Sequence, residues 1–363
     1  MTSIPIFFAV NDNFVKYLCT ALESLKEHIS NDTEYDIRIL YGSLTLENQS
    51  LIKAYTSSNI KFSFYNVSSY FPGNLKESYR WSREIYYRLI IPYIFKDLDK
   101  ALYLDADIIF MEDPRKLYDV DIGDNYLGAV FEPSNKQALG DVRYYKAFES
   151  FDNLRINGNY FGSGVLVFNM KAFREHLKFE DIISYIERHD MVYIDQDALN
   201  YLCLNHTYGL EPNWNCIYHY HQFQLQLEST GKDMYIYHYA GKLKPDKYAL
   251  RDKYYLFWKY YKHTVLYSDE EYLKAIANYI LDSSDEISLE EIELTAQETF
   301  NEYLCMLYVN QVNEWYENGE VLTQAAIYLL LCLSKLYSFE IDERISSTFD
   351  YLIEECYWDK GQI

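Results

Sequence analysis

The first 250 residues alternate two periodicities. IPIFFAV, residues 4–10, is a continuous apolar run, whereas NDNFVKYLCTALESLKEHI places Phe14, Leu18, Ala21, Leu22, Leu25 and Ile29 at helical spacing. DIRILYG then returns to a strand pattern, and NIKFSFYNV continues it. SREIYYRLIIPYIF reads as a helix interrupted at Pro92. After it come the strand-like ALYLDADIIF, YLGAVFE and GVLVFN, a helix around DQDALNYLC, and the strand MYIYHYAG. Such alternation predicts an α/β fold: a Rossmann-like, mostly parallel sheet flanked by helices. In sheets of this kind ligands gather beyond the carboxyl ends of the strands. The conspicuous polar residues fall there: Asn11 to Asn13, Asp105 to Asp107, and His238.

From about residue 263 the pattern is helical throughout. Ser268-x-x-Glu271 and Ser288-x-x-Glu291 read as capping boxes, and helices are expected over roughly 269–282, 289–317, 321–337 and 343–357. Two domains follow from this, 1–262 and an all-α region, 263–363. Charge divides the same way. The last 101 residues hold 21 Asp and Glu against 4 Lys and Arg, most of a net charge of −22.

That charge excludes nonspecific attraction to nucleic acid or anionic lipid, so a phosphate-bearing ligand needs locally placed cations or a metal. The N-terminus has an apolar run without a basic leader or small-residue cleavage site, and the apolar run Ala325–Leu333 is too short to span a bilayer. A cytoplasmic protein without stable membrane insertion is expected. Six scattered cysteines without a CxxC pair agree with a reducing compartment. The 40 tyrosines and 20 phenylalanines suit a sugar-binding cleft and equally an ordinary aromatic core.

A bare D-x-D is uninformative here, because Asp97-Leu-Asp99, Asp119-Val-Asp121 and Asp195-Gln-Asp197 repeat it. Asp105-Ala106-Asp107 differs by lying inside an apolar run. On an extended segment i and i+2 point to one side, and two buried like charges are costly without a cation. A hard divalent ion that leaves sites for substrate phosphates is one solution. The local pattern also admits a second: the strand ends at Leu104 and the aspartates cap a solvent-facing loop. His238 can complete a mixed carboxylate and imidazole site. In the same segment, Gly241 permits close backbone approach and Lys244 is a cation placed to hold a diphosphate.

Seven motifs in order, AVNDNF, REIYYRLIIP, YLDADIIF, YFGSGVLVFN, DQDALN, LEPNWN and HYAGKLKP, make residues 4–248 resemble glycosyltransferase family 8, a family of retaining hexosyltransferases. The resemblance implies a GT-A fold, a UDP-hexose donor (galactose or glucose) and Mn²⁺, with Mg²⁺ the other choice, on Asp105, Asp107 and His238. It implies that Ala9, Asn11 and Asn13 line the uridine pocket, that Arg88, Asp105, Ala106 and Asp107 meet the donor, and that Gly241 and Lys244 hold the diphosphate. Asp195 and Gln196 should face the sugar as the catalytic pair. A retaining hydrolase would carry a carboxylate nucleophile there; Gln196 is a poor one, which favours front-face substitution guided by the departing phosphate. Asp197 is the alternative nucleophile, turned away by its helical spacing. The chain departs from the family's pattern at Asn11, where Asp is common, at Gly162-Ser163-Gly164-Val165, where Asn-[Ala/Ser]-Gly-Val is common, and at Asp246, where Trp is frequent.

Relatives that act on membrane lipids tend to end in basic, aromatic segments. This chain ends in the opposite charge, so a soluble acceptor is expected, a glycan on a serine-rich surface protein. Residues 263–363 equally fit a buttress or dimer contact. The other readings are a nucleotide-sugar hydrolase, a hexosyltransferase of lipooligosaccharide or cell-wall glycan, and a helical adaptor carrying an inactive transferase-like domain.

Overall fold

The computed structural model describes residues 2–75, 82–132, 160–217 except 190 and 192, 233–241, 244–247, 254–269 and parts of 271–339. The chain forms two compact units, residues 1–242 and 243–363. The division falls ahead of the change in composition at 263.

In the first unit the apolar runs become strands. β1 (Thr2–Ala9), β2 (Thr33–Tyr41), β3 (Ile60–Asn66), β4 (Lys100–Leu104), β6 (Leu127–Phe131), β7 (Phe161–Asn169) and β8 (Thr207–Gly209) build one sheet, in the order β3-β2-β1-β4-β7-β6-β8. Pairing is parallel from β3 to β4 and between β6 and β8; only β7 runs antiparallel to its neighbours β4 and β6. The order therefore reverses between β1 and β4, the switch point at which an open α/β sheet forms a crevice.

Along α1 (Val15–His28), Leu18, Leu22 and Leu25 are fully buried, as their spacing requires. α2 (Leu46–Lys53) is capped by Thr45. The core between β1, β4 and β7 and the helices of the other face includes Phe7, Tyr86, Tyr87, Ile91, Leu166, Phe168, Phe173, Ile182 and Leu199. Those helices are α5 (Met170–His176), α6 (Phe179–Arg188) and α7 (Ile194–Leu202), with α3 (Ile91–Ile94) earlier in the chain; α4 (Pro114–Tyr118) lies elsewhere, its cap Asp113 accepting from the Tyr35 hydroxyl of β2.

One expectation needs correction. SREIYYRLIIPYIF is not a helix interrupted at Pro92: Arg83–Leu89 winds as a 3₁₀ helix, and Pro92 lies in the first turn of α3. Its missing N–H is no loss there. Tyr86, Tyr87, Arg88 and Leu89 are buried consecutively, so no solvent-facing stripe exists to impose a 3.6-residue period. In the run ALYLDADIIF the first strand ends at Leu104, as one of its two readings has it. The run breaks at Asp105–Asp107 into β4 and β5 (Ile108–Phe110), and β5 joins a separate three-stranded sheet, β5-β10-β9, with β9 (Cys216–Ile217) and β10 (Ile236–His238). The buried Ser24 hydroxyl of α1 accepts from the Phe110 N–H at 2.9 Å and ties this small sheet to the body.

All regular structure among the described residues of the second unit is helical. α8 (Tyr254–Tyr261) buries Trp258, whose indole donates to the Pro245 carbonyl, and α9 (Gln324–Tyr337) carries buried Leu329, Leu330 and Leu333. The Ser268 hydroxyl accepts from the Glu271 N–H at 3.1 Å, as a capping residue does. The second expected capping box and the helix expected over 343–357 lie outside the described residues. No described helix is long and apolar enough to cross a membrane.

Candidate active site

Asp105 leaves the end of β4, next to the end of β1, and its N–H donates to the Gly164 carbonyl of β7 at 2.8 Å. Asp107 follows one bend later; its carbonyl accepts the Tyr239 N–H, and His238 pairs with Ile108 across the small sheet. The break between β4 and β5 therefore turns both carboxylates toward the imidazole. One ligand atom from each of Asp105, Asp107 and His238 lies within 4.8 Å of the others. His238 Nε2 stands 3.4 Å from Asp107 Oδ1 and 3.7 Å from Asp105 Oδ2. Asp107 and His238 are buried and Asp105 is partly exposed.

Space for this cluster is made by Gly164. A Cβ there would meet Asp105 Oδ2 at 2.7 Å and the His238 ring closer still. Only a residue without a side chain lets both groups lie across β7.

Behind the cluster stands Arg88, which is 4 % exposed. Its Nη2 is 2.9 Å from Asp105 Oδ1, its Nε is 3.0 Å from Asp195 Oδ2, and its Nη1 donates to the carbonyl and hydroxyl of Ser163 at 2.6 and 3.0 Å. The Tyr103 hydroxyl donates to the same Asp105 Oδ1 at 2.8 Å, and the guanidinium carbon lies 4.4 Å from the Tyr103 ring centroid. Burial works against the charge of Arg88, but Asp105 and Asp195 outweigh it and raise its pKa. Burial raises the Asp195 carboxyl above its ordinary value even against the pull of Arg88, and it raises the Tyr103 phenol further.

The donor set fits a divalent cation. Arg88 is shared by Asp105 and Asp195, and Asp107 stands beside Asp105 with its side chain closed off from solvent, so two carboxylates and an imidazole meet in a largely dry pocket. Carboxylates with one imidazole are hard to intermediate ligands of the kind that take Mg²⁺ or Mn²⁺.

Gln196 and Asp195 open α7, but their surroundings differ. The Gln196 Oε1 accepts the Ser163 N–H at 2.9 Å, and its Nε2 donates to Glu132 Oε1 and to the Tyr160 hydroxyl, each at 3.1 Å. Asp197 is 2 % exposed; it accepts the Tyr160 hydroxyl at 2.6 Å and the Tyr193 N–H at 3.0 Å, which turns it from Asp195.

The remaining sequence-derived positions are less concentrated. Ala9 is half-buried at the end of β1 and Ala106 is buried between the two aspartates. Asn11 caps the following 3₁₀ turn through the Asn13 N–H and donates to Glu84 Oε2 at 3.0 Å, while Asn13 is exposed. Gly241 has φ of +102°, the left-handed region that favours glycine. Lys244 belongs to the second unit. Sequence reasoning missed Tyr103, Glu132, Tyr160, Ser163, Gly164 and Asn215 as parts of the site. Tyr103 had a local signal, since it precedes Asp105 at i−2; Tyr160, Ser163, Gly164 and Asn215 lay inside the motifs YFGSGVLVFN and LEPNWN without a role assigned to them.

Residues 5–248 match the model of "Glycosyl transferase family 8". The chain belongs to glycosyl transferase family 8. It is therefore an enzyme, of hexosyltransferase type, in a family whose GT-A members use nucleotide-sugar donors and typically a divalent metal. It is 27% identical to general stress protein A of Bacillus subtilis over 71% of this chain and 93% of that protein. It is 26% identical to a lipopolysaccharide 1,2-glucosyltransferase of Escherichia coli over 66% of this chain and 72% of that one. Among solved structures, the galactosyltransferase LgtC in complex with donor and acceptor sugar analogs superposes with a TM-score of 0.58 at 27% identity, over 74% of this chain and 98% of that chain. The WbbM bifunctional glycosyltransferase, 22% identical with a TM-score of 0.64 over 75% of this chain and 52% of its own, shares the fold.

Proposed function

We propose that this family 8 enzyme moves galactose or glucose, with retention, from a UDP-sugar to a glycan on a soluble, serine-rich surface protein, in the cytoplasm and with Mn²⁺ (or Mg²⁺) on Asp105, Asp107 and His238. The observation that carries the reading is the convergence of these three side chains at the β1/β4 switch point. The domain that acts is residues 1–262. The family match runs to 248, past the division of the compact units, and the acidic helical domain 263–363 follows it.

Each residue has a task in this reading. Ala9, Asn11, Asn13 and Ala106 line the nucleoside side. Gly241 and Lys244 hold the diphosphate. Arg88 serves the donor through Asp105 and Asp195, the carboxylates it binds. The divalent ion, when bound, supplies Lewis-acid stabilisation of the departing diphosphate. Asp195 orients sugar hydroxyls. Gln196, with its amide fixed at both ends, lines the opposite face of the sugar without offering a nucleophile. Substitution from the front face follows, with the departing phosphate oxygen guiding the acceptor hydroxyl.

Similarity to a lipopolysaccharide 1,2-glucosyltransferase favours a second reading, a lipid-linked glycan acceptor. The net charge of −22, concentrated after residue 263, weighs against docking on anionic lipid. The decisive experiment is a donor screen with UDP-Glc, UDP-Gal and UDP-GlcNAc, with Mn²⁺ and with chelator, read as UDP release with and without glycan acceptors. Acceptor-stimulated, chelator-sensitive release from one UDP-hexose is expected. Release that no acceptor raises would instead indicate a nucleotide-sugar hydrolase.

A further inference from the structure

We infer that Asn215 is a positioning residue that fixes the His238 ring in the tautomer whose Nε2 lone pair faces Asp105 and Asp107. The inference rests on the reading of these three residues as a divalent-ion site. β9 runs parallel to β10, with Ile217 opposite His238, which brings Asn215, just before β9, against the imidazole. Both side chains are closed off from solvent, Asn215 at 1 % and His238 at 4 % exposure. The Asn215 Oδ1 lies 2.8 Å from His238 Nδ1. An oxygen and an unprotonated ring nitrogen at that distance would repel, so Nδ1 carries the hydrogen and donates it. The neutral ring then has an acceptor at Nε2.

On the other side of the ring, Nε2 is 3.4 Å from Asp107 Oδ1 and 3.7 Å from Asp105 Oδ2. Both separations exceed the roughly 2.7–3.2 Å of an N–H···O bond. Three acceptor atoms thus face one another at spacings that a hydrogen bond does not explain and a shared cation does. Gly162 leaves room for the Asn215 amide: a Cβ there would stand 3.0 Å from Nδ2. Asn213, two residues earlier, accepts the Tyr235 N–H at 2.9 Å and donates its side chain to the Asp233 carbonyl, which splints the Asn213–Asn215 turn to the lead-in of β10. Metal-bound histidines commonly donate their second ring N–H to such a partner, and loss of the partner weakens metal binding by about 10–100-fold.

Nitrogen-15 spectra of histidine-labelled protein in chelator at pH 8, with His238 assigned by comparison with His238→Gln, read the tautomer directly. The Nδ1–H form is expected; the Nε2–H form or a mixture would overturn the inference. Asn215→Leu should give mixed tautomers and Mn²⁺ affinity about 10–100-fold lower by electron paramagnetic resonance without nucleotide. Asn215→Asp, which still accepts from Nδ1, should restore both. Unchanged tautomer and affinity in Asn215→Leu would also overturn it. Should Asn215→Leu fail to fold by circular dichroism, the wild-type spectrum decides. Should wild-type protein bind no Mn²⁺, the metal reading falls, while the metal-free tautomer still reports on Asn215.

Discussion

Asp105 and Asp195 share one buried guanidinium, that of Arg88, at 2.9 and 3.0 Å. The carboxylate at the end of β4 and the one at the start of α7 are therefore a single electrostatic unit. Arg88→Met should cost about 3–5 kcal/mol, because removing one partner leaves buried charge uncompensated. The lower end is expected, since the Asp105 side chain is 25% exposed. Urea denaturation checks this, and a loss below about 1 kcal/mol, the level of a surface pair, would show that the unit is not coupled.

Gly164→Ala should disable the same cluster from underneath. The added methyl overlaps the His238 ring and Asp105 Oδ2, and forcing it into a packed site costs about 1–3 kcal/mol. The expected signature is lost Mn²⁺ binding in a protein that still melts cooperatively. Wild-type metal affinity in this variant would mean that the cluster does not occupy the space above β7 during binding.

Asp105→Asn and Asp107→Asn test the ligands themselves. Each keeps the side-chain volume and removes one negative charge from the cluster of Asp105, Asp107 and His238. Transfer should be abolished in either variant while the fold survives by circular dichroism, with Asp107→Asn melting close to wild type and Asp105→Asn melting lower because Arg88 loses a carboxylate partner. Near wild-type turnover in one of them would remove that residue from the metal site.

Much of this was legible before any coordinates. The continuous apolar runs around Phe7, Leu102 and Leu166 predicted buried strands because a strand covered on both faces needs no alternation. Asp105, Asp107 and His238 stood out because each interrupts or ends such a run. Two features were hidden for different reasons. Residues 86–92 are buried on consecutive positions, so periodicity could not tell a 3₁₀ turn from an α-helix. Ser163, Gly164 and Asn215 act through partners far along the chain, and no local pattern records that Ser163 joins Arg88, Asp195 and Gln196. The small sheet was missed for the same reason: that Ile108–Phe110 leaves the main sheet for another is visible only once His238 is paired with Ile108.

Asp197 is assigned here to structure. Its two carboxylate oxygens receive the Tyr160 hydroxyl and the Tyr193 N–H, so it braces the start of α7. Asp197→Asn should retain transfer, with a stability loss of about 1–3 kcal/mol from the weakened buried hydrogen bonds. A nucleophile would behave differently: an amide in its place would lower turnover by orders of magnitude with little change in melting. Single-turnover assays beside thermal melts separate the two.

The acceptor question turns on charge. A surface attracted to anionic lipid gains about 1 kcal/mol per Lys or Arg near the membrane, whereas residues 263–363 offer 4 such residues against 21 acidic ones. Sedimentation with phosphatidylserine-containing liposomes at physiological salt should leave the full chain in the supernatant, and lowering the salt should not change that, because weaker screening strengthens repulsion as well as attraction. Binding that grows as salt falls would reveal a basic docking face despite the net charge of −22, and would favour the proposed lipid-linked acceptor over the proposed soluble one.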